Sequence, residues 1–526
     1  MSNVGQESFP EPHLKDRLPD LLRSHSPTSS QPSFHYLPHL GRAREIRRYK
    51  IAELEAELSR LKSHRSALEV YRRDCRSLLA PIRRLPSETL VDIFQLCRPS
   101  EVEFSRSSNG IDTAMAYLAQ ESMLWIAQVC VLWHSIVLDT PSLWNNIFLH
   151  KAALRGTPQQ CETTMELLRL AFERSGSLPL NFRFESFEGD PTRYGPALEL
   201  IASQSARWQT VRILCNSHFR YLSAAKGNLP VLTTLELNTS WGIALEELDF
   251  LQFAPSVKHL TIYGSIESCV RGLPLEGLVT YQCAPWRLNE IASVVSSMSR
   301  LSYPCAVTAT LQFDSWNQHQ GLQIAQTSSN IGSLCLKVSR FRPAYCLLGF
   351  EQIFAALTLP SLRDLSFTAD GNSLSWPHDQ FIGLAIRSSF HDHLYRLDLS
   401  HFHIKPPELV ECLSTLPALQ ELSIADRFPK PLITNGLLKA LTRTPEDSTC
   451  LVPHLQVFEC ISHLRFDDNV FLSLLVSRCE SDDSTGSPFT SRICCSMDYY
   501  RRPIDSEVAA RIRDMCAQGD LTFEWL

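Results

Sequence analysis

Pro360-Ser361-Leu362-Arg363-Asp364-Leu365-Ser366-Phe367 is the stretch whose spacing reveals how the chain is built. Its frame, Pro-x-Leu-x-x-Leu-x-apolar, returns as Pro230-x-Leu232-x-x-Leu235-x-Leu237, Pro255-x-Val257-x-x-Leu260-x-Ile262 and Pro417-x-Leu419-x-x-Leu422-x-Ile424. Less regular copies lie between them: Trp208-x-x-Val211-x-Ile213, Leu275-x-x-Leu278-x-x-Tyr281, Ile331-x-x-Leu334-x-Leu336, Leu394-x-x-Leu397-x-Leu399 and Leu455-x-Val457-x-x-Cys460. Successive residues of a strand point to opposite faces, so the last apolar positions of each frame share the inward face of a short strand and the positions between them face outward. Stretches with helical character, Phe350 to Leu357 and Glu408 to Leu413, fall between frames and cover the other side. One such unit cannot bury its own apolar face, and stacking neighbours does so.

The copies recur at intervals of roughly 18 to 35 residues, where a regular leucine-rich repeat takes about 20 to 29. About one residue in seven is Leu, which fits the same reading. The expectation is an α/β chain whose residues 150–526 form an irregular leucine-rich-repeat solenoid. At the far end, the Asp505-Ser506 cap, the helix face Val508, Ile512, Met515 with Gly519 after it, and Leu521 to Leu526 read as a last helix and strand. Hydrophobic residues make up 44% and charged residues 20% of the 526, with 31 Pro and 20 Gly. That balance is globular and excludes collagen, mucin and wholly disordered classes.

Toward the N-terminus the pattern changes. Residues 1–41 are rich in Pro, Ser and His and read as a disordered tail, because such a stretch buries too little apolar area to offset chain entropy. Residues 42–80 read as one amphipathic helix. Ile51, Leu54, Leu58, Leu61 and Leu68 fall at steps of 3, 4, 3 and 7, a heptad seam with Arg65 in its missing position. Such a seam supports either a short coiled-coil homodimer over residues 46–72 or packing on the chain's own domain. In the next block, 81–149, Pro81 and Pro86 interrupt the helix, and Leu90, Ile93, Phe94 and Cys97 share one face of a new helix.

Within that block, Leu85-Pro86-x-Glu88-x-Leu90-x-x-Ile93-Phe94, then Val129-Cys130-x-x-Trp133, then Pro141-x-Leu143-Trp144, resemble an F-box in order and chemistry. The resemblance covers about a tenth of the chain and departs from the compact form by the longer insert after Cys97. A heptad helix, an F-box-like module and a repeat region in succession also resemble an arrangement common in mushroom-forming fungi. What the resemblance implies is a substrate-recognition subunit of a Skp-cullin-F-box type ubiquitin ligase. Leu85, Pro86, Leu90, Ile93, Phe94, Val129, Cys130 and Trp133 would meet a Skp-type adaptor, which links the receptor to a cullin. The repeats would hold an unidentified target protein. An alternative is a non-catalytic interaction scaffold without a ligase role, for which the N-terminal helix offers a route to a dimer.

Phosphate-cradling G-x-x-x-x-G-K-[ST] and G-x-G-x-x-G, nucleophile-elbow G-x-S-x-G and zincin H-E-x-x-H motifs are all missing from the sequence, so the expectation is no enzyme and no cofactor. His391-x-His393 and His401-x-His403 come nearest to metal ligands but have no Cys pair or carboxylate at ligand spacing, so no metal is expected. Asp482 to Gly486 lacks the alternation of a calcium loop. The net charge of -6 divides into +6 over residues 1–84 and -12 over the rest. Without a basic block interleaved with aromatics, this speaks against nucleic acid as a partner. The lack of an apolar leader or long apolar span, and seventeen scattered Cys without C-x-x-C, point away from membranes and toward cytoplasm or nucleus. Target-facing positions in the frame are Thr233, Thr234, Glu236, Arg363, Asp364, Ser366, Arg396, Asp398, Gln420, Glu421 and Ser423, whose mixed charge suits a polar protein surface.

Overall fold

Alternation of apolar and polar residues in the frames builds one long parallel sheet. In a computed structural model, residues 36–97, 119–150, 158–186, 191–215, 219–239, 250–251, 253–264, 270, 273–285, 290–312, 324–339, 343–369, 374–425, 431–444, 450–462, 465–479, 489–495 and 504–525 are described. The chain divides into two units, residues 1–86 and 87–526.

The first unit holds the 43-residue helix α1, Tyr36–Leu78. It begins within the stretch expected to be tail, and Pro38 permits this because the first turn of a helix needs no backbone N–H donors. Residues 1–35 of that expected tail lie outside the described residues. The seam residues Ile51, Leu54, Leu58, Leu61 and Leu68 are exposed along α1. A 3-10 turn, Pro81–Arg84, follows with Pro at its first position.

The second unit begins with three short helices, α2 Ser87–Leu96, α3 Ala119–Ala127 and α4 Val131–Asp139. The long insert after Cys97 falls at residues 98–118, outside the described residues. Fourteen strands then form a single sheet in chain order, and every neighbouring pair is parallel. They are β1 Asn146–His150, β2 Leu180–Ser186, β3 Trp208–Cys215, β4 Thr234–Thr239, β5 His259–Gly264, β6 Thr280–Ala284 and β7 Ala306–Gln312, followed by β8 Ser333–Ser339, β9 Asp364–Ala369, β10 Arg396–Ser400, β11 Glu421–Ala425, β12 Val457–Ser462, β13 Phe489–Cys495 and β14 Leu521–Trp525. A sheet in which each strand pairs only with its sequence neighbours is a solenoid-like repeat, since each unit touches the one before and the one after.

Parallel pairing needs a crossover between strands. Several crossovers are helical: α5 Pro158–Arg174, α6 Pro191–Ala202, α7 Glu290–Met298, α8 Pro343–Ala356, α9 His378–Arg387, α10 Pro406–Ser414, α11 Asn435–Leu441, α12 Asp468–Cys479 and α13 Ser506–Gln518. Their apolar faces meet the inward side of the sheet in one continuous core. At the frame Pro360 to Phe367, Leu362 is buried two residues ahead of β9, and Leu365 and Phe367 are buried within it. The Phe367 ring lies 5.1 Å from Phe354 of α8 and 5.5 Å from Trp376. Helix α13 shows why a cap matters. Asp505 Oδ1 accepts from the backbone N–H of Glu507 at 2.9 Å, and Gly519 ends the helix at φ 85°, a conformation that side chains with a Cβ resist.

One expected register differs. The frame Leu455-x-Val457-x-x-Cys460 places Val457 inward, but Phe458 and Cys460 are the buried pair and Val457 is half-exposed. With a side-chain period of two, Val457 and Cys460 cannot share a face, and the larger apolar surface of Phe458 takes the core.

Candidate functional site

Helix α2 offers two faces. Leu90 and Phe94, four residues apart, lie on the same side and are both buried. The Phe94 ring meets Trp133 of α4 with centroids 4.9 Å apart. Trp144 is buried beneath, its Nε1 donating to the Val137 carbonyl at 2.7 Å, and Gln95 Nε2 donates to Ser142 Oγ at 3.3 Å. These contacts lock the closing Pro-x-Leu-Trp segment onto α2 and α4. Leu90 and Phe94, expected to meet an adaptor, are buried in the core of the three helices. Ile93, Cys130 and Trp133 are half-buried, and Val129 is exposed. Leu85 is half-buried and Pro86 exposed, both in the first unit. The module also exposes apolar side chains that the pattern did not single out: Val131 at 87%, Leu96 at 84%, and Trp125 and Leu132. Their signal was present in the sequence, since a nine-residue helix with six apolar residues, as α4 is, cannot turn all of them inward.

The outward face of the sheet carries the second set. Register brings the expected residues into two rows. Asp364, Arg396 and Glu421 are direct neighbours on β9, β10 and β11, with Arg396 Nη1 3.4 Å from Glu421 Oε2. Ser366, Asp398 and Ser423 form the adjacent row, where Ser366 Oγ donates to Asp398 Oδ2 at 3.1 Å and Ser400 Oγ to Asp398 Oδ1 at 2.9 Å. Burial raises the Asp364 carboxyl above its ordinary range, against the pull of Arg396 and Arg363. Arg363 and Gln420 sit just ahead of their strands, their backbone N–H groups bonding across to Gly332 and Tyr395. Glu236 is not part of this group. It lies on β4, five strands from β9 and hence roughly 24 Å away at ordinary strand spacing, paired with Arg212 Nε at 3.2 Å. Thr233 and Thr234 go with it.

Following Glu236 through the register gives one continuous row: Arg183, Arg212, Glu236, Thr261, Gln282, Thr308, Cys335, Ser366, Asp398, Ser423, Glu459, Arg492 and Glu524. Charges occupy both ends, and the run from Thr261 to Ser366 is neutral hydroxyl, amide and thiol. Arg492 bridges Glu459 at 2.6 Å and Glu524 at 2.9 Å. The frame missed Arg183 and Arg492 because β2 and β13 carry no Leu-x-x-Leu spacing. As for the histidines, His391 and His393 lie in a helical turn, Phe390–His393, and His391 Nε2 is 3.2 Å from Asp392. Among the described residues no three His, Cys, Asp or Glu side chains are grouped to hold a metal ion, and no helix is long and apolar enough to cross a membrane.

Residues 82–150 match the F-box-like family. No curated protein matches the chain. Among solved structures, the crystal structure of a TLR13-ssRNA13 complex aligns with 72% of the chain at 14% identity and a TM-score of 0.35, and the chain spans about half of that protein, 48%. The crystal structure of the Rad7 and Elc1 complex in yeast aligns with 56% of the chain and 78% of its own at 13% identity and a TM-score of 0.28. The F-box-like domain does not end at a linker. Its last matched residues, Asn146 to His150, are β1, so the domain and the sheet share an element, with Trp144, Ile147 and Leu149 buried in succession. Helix α3 also packs against β1.

Proposed function

We propose that the chain is the substrate-recognition subunit of a Skp-cullin-F-box type ubiquitin ligase. The F-box-like domain takes the Skp-type adaptor and through it a cullin, and residues 150–526, a leucine-rich-repeat-type solenoid, hold the target protein on the outward face of the sheet. The subunit makes and breaks no bond of its own. It raises the effective concentration of the target beside a ubiquitin-loaded enzyme, in cytoplasm, nucleus or both. What carries this reading is the F-box-like match over 82–150 together with the apolar side chains exposed on it. A soluble domain of three short helices that leaves Val129, Val131, Leu132, Leu96 and Trp125 in water has an incomplete core until a partner covers them.

The test is a pull-down of the full chain with purified Skp-type adaptor, with circular dichroism confirming the fold. Wild type is expected to bind, and the Leu85→Ala, Pro86→Ala double variant to lose binding while staying folded. Val131→Asp is the sharper variant, because a residue this exposed at the first turn of α4 accepts an acidic side chain without cost to the helix. Its expected effect is a loss of adaptor affinity of at least about tenfold, the scale of one desolvated apolar contact. Folded wild type that fails to bind would overturn the receptor reading and leave an interaction scaffold.

A further inference from the structure

Helix α1 presents an apolar seam that nothing else among the described residues of its unit covers. Ile51 and Leu58 take heptad position a, Leu54, Leu61 and Leu68 take position d, and Arg65 occupies an a position. All five apolar residues are more than half exposed. Most helical stability in proteins comes from packing an apolar face, and α1, at 43 residues or roughly 65 Å, has no such packing of its own.

We propose that α1 pairs with the α1 of a second copy of this chain as a parallel, in-register, two-stranded coiled coil. The flanking charges favour this occupant. In a parallel pair each g residue faces the e residue of the next heptad on the other strand. Lys50 then faces Glu55 of the second copy, Glu57 faces Lys62, and His64 faces Glu69, opposite or hydrogen-bonding partners at every step. An antiparallel pair that overlaps Ile51 to Leu68 fully sets Glu55 against Lys62 but puts Leu54 against Arg65, whereas the parallel pair keeps every Ile and Leu against its own kind. Shifting the antiparallel pair by one heptad sets Glu55 against Glu69 and Lys62 against Lys62. Ile at a with Leu at d is the pattern of two strands, and a single charged a residue fixes register at some cost in stability. Arg65 bears that cost locally, since its Nε lies 3.5 Å from Glu69 Oε1 on its own helix. Lys50 and Glu57 form exposed pairs with Glu53 at 2.8 Å and Arg60 at 2.7 Å, contacts weak enough to be shared with an interface.

Sedimentation equilibrium of the full chain at micromolar concentrations tests this, with circular dichroism checking each variant's fold. A reversible dimer is expected, and Leu58→Asp should raise its Kd by at least about a hundredfold. Glu57→Lys and Lys62→Glu should each weaken it about tenfold, and the two together should return it to within about threefold of wild type. Oxidation with a diazene dicarboxamide, which takes up the two electrons and two protons lost as the S–S bond forms, should join two copies through Cys75, a d position, as read by peptide mass spectrometry, and Cys75→Ser should remove that linked peptide. A monomer up to about 100 µM, or a dimer indifferent to Leu58→Asp, would overturn the pairing. A double charge swap weaker than either single change would overturn the parallel orientation, because an antiparallel pair turns Lys62 toward Glu55. No adaptor is present in the assay, so its outcome is independent of the receptor reading.

Discussion

Arg478 is a residue whose role no motif announces. It sits in the last turn of α12 and is buried, yet its guanidinium donates to the carbonyls of Leu441 at 3.0 Å, Val452 at 3.0 Å and Leu451 at 3.1 Å, the loose ends of the preceding repeat. Burial pulls its pKa down to about 10, against the pull of the neighbouring Cys450. The same device recurs. Arg207 reaches Leu178 and Ser175, Arg300 reaches Val270 and Leu273, and Arg387 reaches Phe354 and Leu357. In each case an Arg near the end of one helix satisfies at least one carbonyl left over at the end of the repeat before it, Arg207 adding the Ser175 hydroxyl, which a β-sheet ladder cannot do. Arg478→Met keeps the aliphatic volume but strands several buried acceptors, at a cost of about 3 kcal/mol or more. The expected result is thermal unfolding that begins several degrees lower, measured by circular dichroism, with Arg478→Lys in between. The thiols show the opposite use of burial. Desolvation pushes Cys283 and Cys412 up to about 12 and Cys305 to about 11. Although His378 Nδ1 lies 3.6 Å from Cys412 Sγ and Glu411 lies 3.0 Å from His378 Nε2, this trio holds a thiol, not a nucleophile. Iodoacetamide at pH 8 should label exposed Cys97 within minutes and leave Cys283, Cys305 and Cys412 unlabelled until the chain unfolds, as read by peptide mass spectrometry.

At the scale of the element, the frames explain both what was legible and what was not. Leu235 with Leu237, Leu260 with Ile262, Leu365 with Phe367 and Leu422 with Ile424 all fall on strands with both side chains buried, because an apolar pair two apart after a Pro-x-Leu turn leaves few other ways to bury it. Strand β7 was invisible. It fills the long gap between Tyr281 and Leu334, and its inward residues are Val307, Ala309 and Leu311, an alternation without the Leu spacing that marks the frame. Strands β1, β2 and β13 escaped for the same reason, with Ile147 and Leu149 or Phe182 and Phe184 doing the packing. In the F-box-like domain the residue types were legible and their orientation was not: Leu90 and Val131 are equally apolar, and only the packing of α2 on α4 decides that one is core and the other surface. Phe367 tests how much one frame holds. Its ring touches Phe354, Trp376, Phe350 and Phe402, so Phe367→Ala should cost about 3 to 5 kcal/mol by opening a cavity between α8 and β9. Hydrogen exchange should show the loss concentrated in β8 to β10, because repeat stability is carried by nearest neighbours.

For the whole molecule, the boundary that matters is not the one between the F-box-like domain and the repeats. That junction is continuous, since β1 is both the last matched segment of the domain and the first strand of the sheet, and Trp144 is buried just ahead of it. A partner held by α2 to α4 and a partner held by the sheet would therefore keep a fixed relation, set by packing and not by a linker. The compact units divide earlier, at Pro86, which leaves α1 in a unit of its own. Two consequences can be separated by deletion. Removing residues 1–80 takes away α1 but keeps the turn Pro81–Arg84 and everything after it, so the remaining chain should melt with an unchanged midpoint, within about 1 °C, and lose only helical signal in far-ultraviolet circular dichroism. Removing residues 1–145 is expected to behave differently. It strips α2 to α4 from β1, the outer strand of the sheet, which α3 contacts, and an uncovered strand edge pairs with other chains. Light scattering should find the first truncation soluble and the second aggregated. If the second stayed soluble and folded, the helices would be an appendage to the sheet and the fixed geometry between them would not hold.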